Sequence, residues 1–197
     1  MQSNLIRWSG ILAVLAGASL ILQQLYALAL PDVTAGGWVA VHTLGYIGLS
    51  FGLLGQVGMY CRQADKIGRM GLIGFLIGFI GNGLTAGAAF MNTFIVPVLT
   101  TQSPDLLEPT GPLFSGPLGL TVLLASLLVT VGFALFGIAT ARAAILPAIP
   151  AWLVVVTAWF GIAAVFSPVV FAIAGAVFGF GNAWLGYGVW TRTSTQN

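Results

Sequence analysis

Long intervals without a formal charge are the feature that most restricts what this chain can fold into. No charged side chain stands between Arg7 and Asp32, between Arg69 and Asp105, or between Arg142 and Arg192. An α-helix needs about 20 apolar residues to cross the hydrocarbon core of a bilayer. A transmembrane β-barrel would instead show alternating polarity over segments of about ten residues, which these intervals lack. The sequence therefore predicts an all-α, polytopic transmembrane bundle.

The composition leaves no room for a water-soluble domain. Charged residues make up 5% of the chain and hydrophobic residues 58%, whereas a soluble domain carries about 25% charged residues. We expect one transmembrane domain over residues 1–197 with short connections. The six predicted helices cover approximately residues 6–30, 38–60, 70–99, 117–140, 151–166 and 168–190.

The positions of the charges predict the orientation of these helices. With six helices, every basic residue falls on one side of the membrane: Arg7, Arg62, Lys66, Arg69, Arg142 and Arg192. Asp32, Asp105 and Glu108 fall on the other side. The positive-inside rule then places both termini in the cytoplasm, which predicts a multi-pass protein of a bacterial cytoplasmic membrane. Because the bases lie at membrane edges, we expect no nucleic-acid partner.

Small residues mark the expected helix contacts. The second predicted helix carries Gly45, Gly48, Gly52 and Gly55, and the third carries Gly71, Gly74, Gly78 and Gly81. Such spacings put each set on one face, and small faces let transmembrane helices approach closely. We expect the two stripes to form a close antiparallel pair, the alternative being a face that admits a flat ligand. In the last helix, Gly175 and Gly179 are consistent with either an internal contact or a dimer.

His42, the only histidine, is the first candidate for a functional side chain. An ionisable group in a span should face the bundle interior or a wet cavity. One interpretation is a neutral imidazole bonded to a neighbouring helix or to Asp32. The other is cofactor binding, as an axial ligand of a haem or chlorophyll-type pigment, for which haem would need a second ligand.

Amide side chains in the spans are candidates for a substrate-binding site. We assign Asn82, Asn182, Gln23 and Asn92 to it, with Asn82 and Asn182 near mid-membrane. The alternative is that these amides, together with Gln24 and Gln56, only join helices, since unsatisfied polar groups in lipid cost several kcal/mol. The strings 78–82 (GFIGN) and 179–182 (GFGN) are similar and suggest an inverted three-helix repeat.

The residues assemble no catalytic or metal-binding constellation, because the spans hold no carboxylate pair, no His-x-x-x-His and no Cys-x-x-Cys. We therefore expect a non-enzymatic protein. The first hypothesis is a binding or accessory subunit that holds a lipid, a pigment or a larger membrane partner. The alternative is a small facilitator for a neutral or amphipathic solute, with its site between helices 3 and 6 and residues 100–116 as an outer gate. The expected partners are membrane lipids and either a larger membrane complex or further copies of the chain.

Three stretches carry a resemblance to a known group of proteins: residues 60–71 (YCRQADKIGRMG), 90–97 (FMNTFIVP) and 139–147 (ATARAAILP). They resemble a family of small bacterial six-helix integral membrane proteins that has no established activity. The resemblance implies the same fold and topology and transfers no functional residue. Members of that family often have an acidic residue where this chain has Asn92.

Overall fold

The computed structural model describes residues 2–29, 32–108, 110–163 and 167–194, and the regular elements within them are all helices. Helix α1 covers Gln2–Leu28, and a long helical run covers Gly36–Phe90. That run continues through a π-helical turn, Met91–Ile95, and a helix, Val96–Gln102. Later helices are α4 (Pro117–Ala143), α5 (Ala148–Thr157), a short helix (Phe160–Ala163) and α6 (Pro168–Ser194).

The long helical run folds back on itself at Gly68. A straight helix of 67 residues, Gly36–Gln102, would be about 100 Å long, but Gly68 has φ 69° and ψ −175° and interrupts it. Residues at nearly equal distances from Gly68 along the chain then meet, since the Tyr60 and Phe75 rings stack with centroids 4.7 Å apart. We therefore divide the run into α2 (36–67) and α3 (69–102), an antiparallel pair as predicted. The predicted loop of residues 61–69 is wrong, because helix continues up to a one-residue reversal.

The two glycine stripes do not face each other, so that prediction is wrong. On α2, a Cβ atom built on Gly48 or Gly55 would lie 2.6 or 2.7 Å from Ser19 or Ala13 of α1. On α3, a Cβ atom built on Gly81 would lie 2.6 Å from the Val129 nitrogen of α4. Each stripe therefore brings its helix against a neighbour outside the α2–α3 pair.

The helices form a closed ring in chain order. Each packs against its sequence neighbours, and α1 packs extensively against α6. A Cβ atom on Gly10 would lie 2.7 Å from the Trp190 nitrogen, and one on Gly179 would lie 2.9 Å from the Gly17 oxygen. These contacts show that α1 and α6 run antiparallel. Gly175 and Gly179 therefore serve an internal contact, not a dimer.

Two helices differ from the predicted spans. In α3, the π-helical turn just precedes Pro97, whose missing N–H disturbs the regular hydrogen-bond ladder. Instead of running continuously over residues 151–166, α5 ends at Thr157 and is followed by a turn and the short helix, while residues 164–166 lie outside the described part. The predicted start of α6 is confirmed, because the Val170 N–H donates to Ser167 Oγ at 3.4 Å, as an N-cap residue should accept.

Four helical stretches are long and apolar enough to cross a membrane: Asn4–Leu28, Gly36–Gln102, Pro117–Ala143 and Pro168–Thr191. A shorter apolar stretch covers Ala148–Ile162. Large apolar side chains point away from the bundle, among them Leu120, Ile149 and Val156, each more than 60% exposed. An outer surface of this kind suits lipid, as expected for a membrane protein.

Candidate functional site

A cavity of about 50 Å³ lies inside the ring, between α1, α2, α3, α4 and α6. Much of its wall is backbone, since Gly17, Gly45, Gly48, Gly52 and Gly179 line it. These glycines come from the stripes that bring α2 and α6 against α1. The close helix contacts therefore also shape the empty space between the helices.

Asn82 and Asn182 both line this cavity, so the structure brings together the two mid-membrane residues that the sequence analysis singled out. They come from α3 and α6, which run in opposite directions. Asn82 is 8% exposed and forms no hydrogen bond with the described residues. Its amide group is therefore free to bind a molecule in the cavity.

Asn182 presents only part of its amide to the cavity. Its Nδ2 donates to the Phe178 carbonyl one turn earlier at 2.9 Å, which leaves Oδ1 as an acceptor. The ring of Phe178 meets that of Phe133 edge to face, with centroids 5.0 Å apart, and both rings line the cavity. The site thus combines two amides with aromatic and glycine walls, and none of the described residues that line it is charged.

Gln23 and Asn92 do not line the cavity. The side chain of Gln23 lies over Gly45, a cavity residue, and so it covers the wall from the α1 side. Asn92 belongs to the π-helical turn, and its backbone oxygen accepts a hydrogen bond from Trp38 Nε1 at 3.3 Å. The side chain of Asn92 is half-buried at the far end of α3, away from Asn82.

His42 is 5% exposed and is held by its own helix. Its Nδ1 lies 3.0 Å from the Trp38 carbonyl oxygen, and its ring stacks on the Trp38 indole with centroids 3.8 Å apart. Tyr26 of α1 meets the imidazole edge to face. The partner of His42 is thus the Trp38 carbonyl oxygen of its own helix, and the predicted hydrogen bond to another helix or to Asp32 is wrong. His42 does not line the cavity.

Asp32 interacts with Thr34 instead. Both the backbone N–H and the hydroxyl of Thr34 donate to Asp32 Oδ1, each at 2.8 Å. These two hydrogen bonds hold the pKa of the Asp32 carboxyl below its usual value, because they favour the charged form. The carboxylate thus stabilises the turn that connects α1 to α2.

Within the described ranges, no three His, Cys, Asp or Glu side chains lie close enough together to hold a metal ion. The pigment role of His42 stays a prediction. Its Nδ1 contact with a backbone carbonyl leaves Nε2 as the nitrogen that would bind. The cavity, however, lies elsewhere, at the two asparagines.

A buried pair that the sequence analysis missed lies toward the Gly68 end of the bundle. Gln63 Nε2 donates to Thr140 Oγ1 of α4 at 2.9 Å, and both residues are at most 2% exposed. The predicted helix bounds place Gln63 between the second and third helices instead. The available signal was its spacing of seven residues from Gln56, which puts both glutamines on one face of a continued helix.

No family model, no curated protein and no solved structure matches this chain.

Proposed function

We propose that the protein is a non-enzymatic, six-span membrane protein that binds a small uncharged or amphipathic molecule in the cavity between Asn82 and Asn182. The observation that carries the proposal is the Asn82 side chain, which is buried, lines the cavity and has no partner among the described residues. The fully buried unpaired side-chain atoms of the described residues do not include those of Asn82, so its amide is open to the cavity. A molecule bound there would pair with a donor and an acceptor that no described side chain satisfies.

The wall of the cavity restricts the chemistry of the ligand. Asn82 offers a donor and an acceptor, Asn182 offers its Oδ1, and the remaining lining includes Leu20, Met59 and Phe133. An ion in this setting would lack a countercharge and would lose its hydration at high cost. A neutral molecule with both a donor and an acceptor suits the site. A volume of about 50 Å³ has room for a small molecule and none for a pigment macrocycle.

The fold also supports the proposed topology. The Gly68 reversal divides one long run into two antiparallel helices, and α5 with the short helix adds a further passage. Arg7, Lys66, Arg69 and Arg142 then stand at one end of the ring, and Asp32, Asp105 and Glu108 at the other. The positive-inside rule assigns the basic end, with both chain ends, to the cytoplasm of a bacterial cell. The accessory role toward a lipid or larger complex, like the family resemblance, stays a prediction.

Native mass spectrometry tests the binding proposal. The protein is released in mild detergent from the membranes in which it was made, and its mass is compared with that of the bare chain. We expect an excess mass in the wild type that is lost in Asn82→Leu, because leucine has a similar size and cannot form hydrogen bonds. Asn92→Leu is the matched control, since Asn92 lies on the same helix outside the cavity and should keep the excess mass.

Two results would contradict the proposal. One is a bare wild-type chain under conditions that preserve bound lipid in other membrane proteins. The other is an excess mass that Asn82→Leu retains in full. Either result would make Asn82 a packing residue.

A further inference from the structure

Three glutamine oxygens, unlike the Asn82 amide at the cavity wall, are fully buried and have no hydrogen-bond partner among the described residues. Gln24, Gln56 and Gln63 are 3%, 2% and 2% exposed, and their Oε1 atoms have no hydrogen-bond partner among the described residues. The Nε2 atoms of Gln56 and Gln63 are used, since they donate to the Phe75 carbonyl and to Thr140 Oγ1. Helix-to-helix hydrogen bonds therefore explain the Nε2 groups of Gln56 and Gln63. They do not explain the buried Oε1 atoms of Gln24, Gln56 and Gln63, because buried acceptors normally have a partner.

These oxygens lie on both sides of the cavity. Gln24 packs against Gly175 of α6, one turn from Gly179 in the cavity wall, so it stands about 6 Å away along the axis. On α2, Gln56 lies between two cavity residues, Gly52 and Met59. Gln63 follows one turn after Met59. We call Gln24, Asn82, Asn182, Gln56 and Gln63 the polar column.

The polar column is almost as long as the membrane is thick. Gln23, the neighbour of Gln24, lies against Gly45, so the column runs from the level of Gly45 to Gln63 of α2. Eighteen residues separate these positions, which is about 27 Å of helix. The hydrocarbon core of a bilayer is about 30 Å thick.

The chemistry of the column selects uncharged molecules. Its spare groups are single carbonyl oxygens at different heights, whereas a cation needs several oxygens around one point. A single acceptor suits one O–H or N–H donor, such as water or a small alcohol or amide. Gln56 and Gln63, seven residues apart, are separated by about 10 Å along α2, a gap that a chain of about three waters bridges with hydrogen bonds of about 2.8 Å.

We infer that this polar column is a path along which water-sized uncharged molecules, such as water, urea and glycerol, cross the membrane through the proposed binding site. The inference rests on the proposed function for its central site and adds transport to it. Along α2, Met59 stands between Gln56 and Gln63, lines the cavity and is 3% exposed, so a molecule that passes from one glutamine to the other has to displace its side chain. The unbranched methionine side chain moves easily, so a rotamer change of Met59 lets a molecule pass between Gln56 and Gln63 without a movement of helices.

Stopped-flow light scattering on proteoliposomes tests the path with three probes: osmotic water flow, urea and glycerol. Wild-type vesicles should exceed protein-free vesicles in permeability to at least one probe. Gln56→Met keeps the side-chain length and loses the amide, and should lower that flux about tenfold, equivalent to about 1.4 kcal/mol of barrier. Asn92→Leu, outside the column, should conduct like the wild type. Met59→Ala should conduct faster, because it shortens the obstructing side chain.

The outcomes separate this inference from the proposed function. Wild-type flux no higher than that of protein-free vesicles, with the excess mass still present in the native spectrum, overturns the path and leaves the binding site. Gln56→Met vesicles that conduct like the wild type also overturn it. Gel filtration of each variant in detergent, with a wild-type elution volume, establishes that a lost flux is not a lost fold. Flux without any bound mass would contradict the binding proposal and support the path alone.

Discussion

At the scale of single residues, backbone strain is localised at the end of α4. Ala144 has φ 54° and is the one non-glycine residue with a positive φ in the described ranges. It terminates the helix in the left-handed conformation, a position where glycine is common because a Cβ atom is unfavourable there. Ala144 is exposed, so a substitution there changes the conformational energy of the backbone and few side-chain contacts.

Ala144→Gly should therefore stabilise the protein. Left-handed backbone costs an L-residue about 1–2 kcal/mol, partly offset by the greater freedom of glycine in the unfolded chain, so we expect a net gain of up to about 1 kcal/mol. Ala143→Gly, one residue earlier in the helix, is the matched control and should destabilise by about 0.5–1 kcal/mol. Thermal unfolding in detergent measures both. Equal effects of the two changes would show that strain at Ala144 is absent.

Sequence reasoning at this scale identified side chains better than partners. That Asn82 and Asn182 face the same interior space could be predicted because polar side chains in a span avoid lipid, whereas their role in binding stays a prediction. The partner of His42 could not be predicted, since its bond lies within its own helix. Gln63 was missed because a run of charged residues suggested a loop, whereas one positive-φ glycine is sufficient to turn the chain.

At the scale of helices, glycine decides how closely they approach. A Cβ atom on Gly78 would meet the Gly132 backbone of α4 at 3.4 Å and Gln56 Nε2 at 2.9 Å, and one on Gly132 would overlap the Gly78 backbone. The spacing of the stripes could be predicted from the sequence. The partners of the stripes could not, because a small face specifies a close approach and says nothing about which helix makes it.

Gly132→Ala should separate α3 from α4 and destabilise the bundle by about 1–3 kcal/mol, the range of overpacked interiors. Gly83→Ala on α3 is the control, because nothing lies within 4 Å of a Cβ atom there. Since alanine favours helix over glycine, the control should be neutral or slightly stabilising. Melting temperatures in the same detergent measure both, and a Gly132→Ala melt as high as that of the wild type would contradict the close contact.

At the scale of the whole molecule, the ring has a basic end and an acidic end, and each offers an exposed position for labelling. Cys61 is exposed near the basic end, and Gln102 is exposed at the far end of α3. The all-helical class and the charge separation could be predicted from the sequence, since apolar intervals and insertion rules act locally. The closed ring of helices could not be predicted from the sequence, because it depends on contacts between α1 and α6, which are far apart in the chain.

A membrane-impermeant maleimide tests the orientation in intact cells. In a Cys61→Ser background, Gln102→Cys should react from outside, while the wild-type Cys61 should react only after the cells are opened. Labelling of Cys61 in intact cells, together with protection of Gln102→Cys, would invert the proposed topology. Leu120→Cys, exposed on the lipid-facing side of α4, should resist the reagent in both conditions.

The contact between α1 and α6 also determines when, during synthesis, the ring of helices can close. Helix α1 is synthesised before α6, so the face that carries Gly10, Gly17 and Gln24 gains its partner only after Pro168–Ser194 has been synthesised. Until then the Gln24 amide has no glycine groove to occupy and must remain beside the insertion machinery or in the lipid. The contact between α1 and α6 therefore forms only after translation of α6, and a nascent chain arrested before Pro168 should be a substrate for membrane quality control.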